Sequence, residues 1–284
     1  MPVVPLLAAA AAAAGAGAAA HRLRSRRAPA TVRSAAKDVR RLAREAAAAP
    51  HDATAGAWKR LLLARAALGS SVEQWLDDED GDAIRSWLER HVGAHVRLAV
   101  ERARELSDGE HPCGSILVAG VTGAGKSTLV NAAVGRPVAK TGAGAPVTAR
   151  THHHLTRDGR AMLIDTPGLE SAGAAATEVR AARLAVLAEV SDVVWYCVQG
   201  ERGRVQSAEI ELVERLAAVA PLIVVLTQSL EPSDELRREI EAHRLFAEVV
   251  SVLARERALG TARVAPTGLD ALLAAHARAF ARAE

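Results

Sequence analysis

The stretch GVTGAGKSTLVN, Gly120 to Asn131, holds the residue types that a chain of phosphate groups requires. It fits the pattern G-x-x-x-x-G-K-[ST] at Gly120, Gly125, Lys126 and Ser127. Glycines here allow the backbone to wrap closely round oxygen atoms, so that amides from Thr122, Gly123, Ala124 and Gly125 onward point inward as a nest. A helix that starts near Lys126 adds its positive end, with Ser127 and Thr128 in its first turn. Lys126 can then neutralise the outer phosphates, and the Ser127 hydroxyl is a hard oxygen ligand suited to Mg²⁺.

Such a loop works only between a strand and a helix, and both are legible. SILVAG (Ser115 to Gly120) reads as a buried strand, and STLVNAAVG (Ser127 to Gly135) reads as a helix closed by glycine. About forty residues on, AMLIDTPGL (Ala161 to Leu169) is an apolar strand that ends in Asp165-Thr166-Pro167-Gly168. A carboxylate at that strand edge is where a second contact to Mg²⁺ is needed, usually through water. The Gly168 N–H is placed to sense the terminal phosphate. Between the two motifs, PVTAR puts Thr148 where a switch loop could close on the metal, and the strand-forming THHHL follows.

These segments together resemble the P-loop GTPases of the Era/septin-like class, in particular the bacterial ribosome-binding-type or YcjF-like GTPase domains. The resemblance rests on GVTGAGKSTLVNAAVG, PVT, LIDTPGLE, DVVWYCVQG (Asp192 to Gly200), PLIVVLTQS (Pro221 to Ser229) and GLDALL (Gly268 to Leu273). It implies binding of GTP and GDP, a Mg²⁺ requirement, and slow hydrolysis coupled to movement of switch loops. The alternative within the same resemblance is a nucleotide-dependent binding module without significant hydrolysis. An ATPase or kinase on the same loop is opposed by DTPG and Thr148. Carried over residue by residue, the resemblance implies phosphate contacts from Thr122 to Thr128 and from Gly168, with Lys126 stabilising charge. It implies Mg²⁺ ligation by Ser127, Thr148 and Asp165, and base contacts by Thr227, Gln228 and Ala254.

Two positions depart from the family pattern. Its guanine-reading motif, [NT]-K-x-D, stands here as Thr227-Gln228-Ser229-Leu230. Gln228 replaces the lysine that stacks on the base, and Leu230 replaces the aspartate that accepts the guanine N–H groups. Losing that acceptor costs about 1–3 kcal/mol, unless Glu231 substitutes after a local backbone shift. The second departure is Leu169, where Ras-like switches carry a water-orienting glutamine. Glu170, Arg202 and Arg204 are candidates to assist, and no catalytic base is assigned.

Composition bounds the rest. Half of the 284 residues are hydrophobic but only 2% are aromatic, so alanine and aliphatic side chains must fill the core. The net charge of +3 is far from the density that compels nucleic-acid binding. Cys113 and Cys197 fit no metal spacing and read as reduced thiols of a cytoplasmic protein. Strands alternating with helices predict an α/β fold, a doubly wound P-loop NTPase sheet, preceded by an N-terminal α-helical region. The boundaries read as a low-complexity, Ala-rich and basic tail over 1–37, a helical region over 38–110, and the P-loop domain over 113–284.

In the tail, the alanine-dominated Val3 to Ala20 precedes HRLRSRR, His21 to Arg27. A secretory signal lacks its basic n-region here, and a membrane anchor is marginal in length and apolarity. The remaining reading is a flexible tail whose basic stretch could touch acidic lipid or RNA, and weak, salt-sensitive contact with acidic membrane is favoured. In the helical region Trp58, Leu61, Leu62, Arg65 and Leu68 predict an amphipathic helix ending at Gly69. Ser70 or Ser71 with Glu73 then reads as the N-cap of the next helix. DDEDGD (Asp77 to Asp82) lacks calcium-loop spacing and reads as a solvated turn. Trp58, Trp75 and Trp87 read as core anchors. His152, His153 and His154 alternate across a strand, so they read as edge-strand surface side chains and not as a metal site. A homodimer is compatible with the sequence, which names no effector.

Overall fold

The computed structural model describes residues 28–50, 53–76, 81–105, 114–141, 151–169, 173–200, 205, 207–228, 234–243, 246, 248–259 and 261–282. Thr148, Glu170, Arg202, Arg204, Leu230, Glu231, Cys113, the segment Val3 to Arg27 and most of DDEDGD lie outside the described residues.

Seven-residue β1 (Gly114–Gly120) and the apolar runs β3 (Ala161–Asp165), β4 (Val193–Gln199) and β5 (Leu222–Thr227) are buried almost throughout. Continuous apolar runs of this kind suit strands covered on both faces. With β2 (His152–Leu155) and β6 (Glu248–Val252) they form one sheet in the order β2-β3-β1-β4-β5-β6. All neighbours are parallel except the edge pair β2 and β3, where His152 faces Asp165 and Leu155 faces Met162.

Alternation along each strand divides the core. Ile116, Val118, Trp195, Cys197, Ile223 and Val225 pack on one face, and Leu117, Ala119, Tyr196, Val198, Val224 and Leu226 on the other. Trp195 and Tyr196 thus point to opposite faces, as expected for consecutive strand residues. The second face is covered by α6 (Gly173–Glu189), α7 (Ser207–Ala217) and α8 (Asp234–Ala242).

The first face carries α5 (Lys126–Val134), α9 (Leu269–Arg282) and the N-terminal helices in one contiguous core. Helix α1 (Ala30–Ala48) begins eight residues before the expected start of the helical region. Its apolar stripe Val32, Ala36, Val39 and Ala43 is fully buried, so the helical period extends back into the basic segment. Helix α2 (Thr54–Trp75) does not stop at Gly69. Gly69 is an interior, buried residue whose absent side chain admits the His153 ring, since a Cβ there would lie 3.2 Å from Nε2. Ser70 and Ser71 are accordingly mid-helix and cap nothing. Ser71 Oγ instead donates to the carbonyl of Ala67, one turn back. Helices α3 (Gly81–Leu88) and α4 (Ala94–Glu105) are joined without a break by a π-helical turn, Glu89–Gly93.

The tryptophans anchor this layer. Trp58 is buried and meets Phe280 of α9 edge-on at 6.4 Å, while Trp75 meets Trp87 edge-on at 5.7 Å. A buried ion pair adds orientation: Arg65 of α2 binds both carboxylate oxygens of Asp192, at 2.8 and 3.1 Å, and the Val190 carbonyl at 2.9 Å. Asp192 also accepts from the Ser115 backbone and hydroxyl. Burial pushes its pKa upward, but the Arg65 guanidinium and the Ser115 donors overcome that and hold it below the usual carboxylate range. Among the described residues no helix is long and apolar enough to cross a membrane.

Candidate functional site

The ends of β1, β3, β5 and β6 bring the residues singled out above to one edge of the sheet. At the end of β1 the chain turns at Gly120, φ 138°, where a Cβ would stand 2.4 Å from the Cys197 carbonyl oxygen. Only glycine fits there. The loop Val121 to Gly125 then delivers Lys126 as the first residue of α5, with Ser127 and Thr128 in the same turn. Lys126 is 6% exposed, and its Nζ donates to the carbonyls of Gly120 and Val121, both at 2.9 Å. Burial lowers its pKa, with the Cys197 thiol and the Asp165 carboxyl opposing that shift. The lysine therefore lies folded along the loop it serves, as a charged group held in a largely dry place.

Asp165, the last residue of β3, is fully buried, and neither carboxylate oxygen has a hydrogen-bond partner. Burial pushes its carboxyl up to about 6, with Lys126 and then His152 drawing it down. A buried carboxylate without donors is costly unless a cation completes it. Asp165 and the Ser127 hydroxyl are hard oxygen donors on one sheet edge, and this pair fits Mg²⁺. The third expected ligand, Thr148, lies outside the described residues.

Past Asp165 the chain stays against the phosphate loop. Thr166 Oγ1 donates to the Val118 carbonyl, and Leu169 pairs with Val121 as an extension of the sheet. Gly168 passes so close that a Cβ would fall 2.5 Å from Thr122 Oγ1, so a side chain there would push the two segments apart. On the opposite side, Thr227 Oγ1 donates to the Ala124 carbonyl at 2.6 Å, and Gln228 Nε2 donates to the Gly123 carbonyl at 3.1 Å. Ala254 lies two residues beyond Val252, the register partner of Thr227, on the same edge. Every expected site residue among the described ones is thus gathered here, with the side chains of Thr227 and Gln228 bracing the loop.

Residues 115–228 match the family described as 50S ribosome-binding GTPase. Those residues form a P-loop domain whose sequence matches this GTPase family. A comparison with curated proteins found no match. Among solved structures, the domain is similar to Era in complex with MgGDPNP and nucleotides 1506–1542 of 16S ribosomal RNA, at 20% identity and TM-score 0.47. That match covers 58% of this chain and 56% of that one, so the chain spans less than three fifths of the Era chain. An Era variant from Aquifex aeolicus bound to GDP·AlF₄⁻ is 19% identical over 60% of this chain and 58% of that one, TM-score 0.47. Toc33 from Arabidopsis thaliana with Mg²⁺ and GMPPNP is 20% identical over 64% and 92%, TM-score 0.41.

The P-loop domain also uses residues that motif reading passed over. Asn131 accepts from the backbone N–H groups of Val138 and Ala139 and donates to the Ala139 carbonyl, which fixes the chain leaving α5. Its signal was present: Asn131 stands four residues after Ser127, on the same helical face. Arg180 of α6 donates to the Gly168 carbonyl at 3.2 Å, and Glu73 of α2 accepts from the Thr151 hydroxyl at 2.6 Å. Nothing in the spacing of those two pointed to the P-loop domain. Cys197 is buried beneath the loop, and burial pushes its thiol up to about 12, so it is an inert core side chain. The histidines alternate as expected, with His152 and His154 stacked at 6.2 Å, but His153 is not a surface residue, because its ring packs into the space beside Gly69 of α2. Burial, with His154 and then His152 adding to it, lowers the His153 pKa to about 4. No group of three or more metal-ligating side chains forms among the described residues.

Proposed function

We propose that this chain is a Mg²⁺-dependent guanine-nucleotide switch that hydrolyses GTP slowly. The observation that supports this best is the buried, partnerless carboxylate of Asp165 beside a phosphate loop already clamped by Lys126. In this reading the loop amides and Lys126 bind the phosphates, Ser127 and Thr148 ligate the metal, and Asp165 holds it through water. When bound, Mg²⁺ would neutralise charge on the outer phosphate oxygens. Leu169 supports weak intrinsic hydrolysis. Its side chain packs against the core on the α6 and α7 face and offers no atom that can orient water.

Mass spectrometry of the denatured protein would identify the copurifying nucleotide, and GDP or GTP is the expected result. ATP or ADP in its place would overturn the guanine assignment. A single-turnover assay with Mg²⁺ separates a slow GTPase from a non-hydrolysing binding module: γ-phosphate release above the rate in free solution supports the first. Restoring the family's acceptor tests the base site. Leu230→Asp, alone or with Gln228→Lys, should raise the preference for GTP over ATP about tenfold, because a bidentate acceptor is regained. An unchanged ratio would show that the base is held by other groups.

We propose further that the protein works in the cytoplasm and makes weak contact with acidic membrane. Arg33, Lys37, Arg41 and Arg44 are exposed along α1, directly after the arginines of His21 to Arg27. Arg41 is partly neutralised by Asp38 and Glu45, so the attraction is modest. Full-length protein should bind acidic vesicles at low salt and detach as salt passes about 0.15 M, where the Debye length is about 8 Å. Carbonate-resistant retention that vanishes on removing residues 1–20 would instead establish an anchor.

A further inference from the structure

After Ala254 the chain makes an excursion before entering α9. Strands β7 (Arg257–Leu259) and β8 (Ala262–Val264) form a small hairpin, with Arg257 opposite Val264. Its neck is fixed by a reciprocal backbone pair, Leu253 with Thr267, both bonds 3.0 Å. Gly268 closes the neck so tightly, at φ 84°, that a Cβ would lie 2.1 Å from the Ser251 carbonyl oxygen. The hairpin is therefore launched in a set direction from the end of β6. From it, Arg257 Nη1 donates to the backbone carbonyl of Gln228 at 2.6 Å.

Gln228 is the one non-glycine residue with positive φ, 62°, among the described residues. An L-residue in that region costs about 1 kcal/mol or more and persists only where its surroundings hold it. Two strong contacts do so. Arg257 fixes the carbonyl, and the side-chain amide reaches the Gly123 carbonyl at 3.1 Å. Gln199 adds a long contact to Gln228 Oε1 at 3.5 Å. A continuous path thus runs from the hairpin through one strained residue to the phosphate loop.

We propose that Arg257 is a positioning residue for the bound nucleotide, acting through Gln228 on the conformation of the phosphate loop. This rests on the nucleotide-binding reading given above. Since the path ends at the loop and not at the base, loss of Arg257 speeds release of guanine and adenine nucleotides alike. The hairpin thereby becomes a place from which release can be controlled, because anything that shifts it withdraws the support from Gln228.

The test measures dissociation of fluorescent GDP and ADP from the full chain for the parent, Arg257→Ala, Gln228→Gly and the double variant. Arg257→Ala should speed release of both about tenfold, and the double variant should be no faster than Gln228→Gly alone. Arg257→Lys, which keeps one cationic donor, should recover part of the loss. The melting temperature of the unliganded protein should stay near that of the parent in both Arg257 variants. Parent-like release from Arg257→Ala, or effects that simply add in the double variant, would overturn the proposal while leaving nucleotide binding intact. So would equal loss of melting temperature in both Arg257 variants. A parent protein that binds neither nucleotide would remove the functional reading itself, and this inference with it.

Discussion

Lys126→Ala is expected to lose GTP affinity by a factor of roughly 100 to 1,000 while the unliganded protein keeps its fold. The ammonium group is a buried cation that holds the loop by the carbonyls of Gly120 and Val121. Charge-assisted hydrogen bonds contribute about 1.5–3 kcal/mol each, and Lys126 would make more than one to the phosphates. Its depressed pKa gives the stability expectation. A base whose folded pKa lies below its unfolded value is penalised for carrying charge in the fold, so it weakens the folded state at neutral pH. Lys126→Met should therefore melt at or above the parent temperature while binding as poorly as Lys126→Ala. Calorimetric titration and a thermal melt check both halves. Parent-like GTP binding by either variant would show that the phosphates are held elsewhere.

Asp165→Asn should abolish the part of GTP affinity that depends on Mg²⁺ and leave the metal-free part nearly unchanged. The asparagine keeps the shape but removes the charge that a hard cation needs. The pH dependence follows from a carboxyl pushed up to about 6. A protonated carboxyl loses both its charge and its capacity to accept from the metal's water, so affinity must fall as pH falls. With that pKa, the ionised fraction drops from about nine-tenths at pH 7 to about one-tenth at pH 5, so Mg²⁺-dependent affinity should fall nearly tenfold. In the unliganded protein the same shift works the other way. Its penalty is present above pH 6 and fades as the pH falls through 6 toward the unfolded value near 4. Mg²⁺ titrations at pH 5, 6 and 7 would expose a flat profile, which would mean that Asp165 does not meet the metal.

The site was legible because its chemistry forces local sequence. Gly120 must lack a side chain because Cys197 O is in the way, and Lys126 must follow a tight loop, so the motif is contiguous. The same holds for the sheet, whose doubly covered strands are uninterrupted apolar runs. Other features depend on what packs where. Gly69 reads as a helix stop until His153 is seen filling the space beside it. Helix α1 starts within arginines because burial of Val32, Ala36 and Val39 outweighs the polar composition around them. Arg257 sits in a stretch without periodicity, and only the neck between Leu253 and Thr267 brings it to Gln228. Contacts between residues distant in sequence leave no local pattern to read.

The ion pair between Arg65 and Asp192, with Trp58 against Phe280, bears on how this molecule can come apart. A chain shortened to begin at residue 110 would uncover Leu163 and Phe280, at about 1.5–3 kcal/mol for each side chain exposed, and take from Asp192 the guanidinium that orients it. Together these losses are comparable to the whole margin by which many domains stay folded. Heating the intact protein should then give one cooperative calorimetric transition, with equal van't Hoff and calorimetric enthalpies. The helices would not melt ahead of the sheet. Held in this way, the layer cannot part from the sheet as an independent arm.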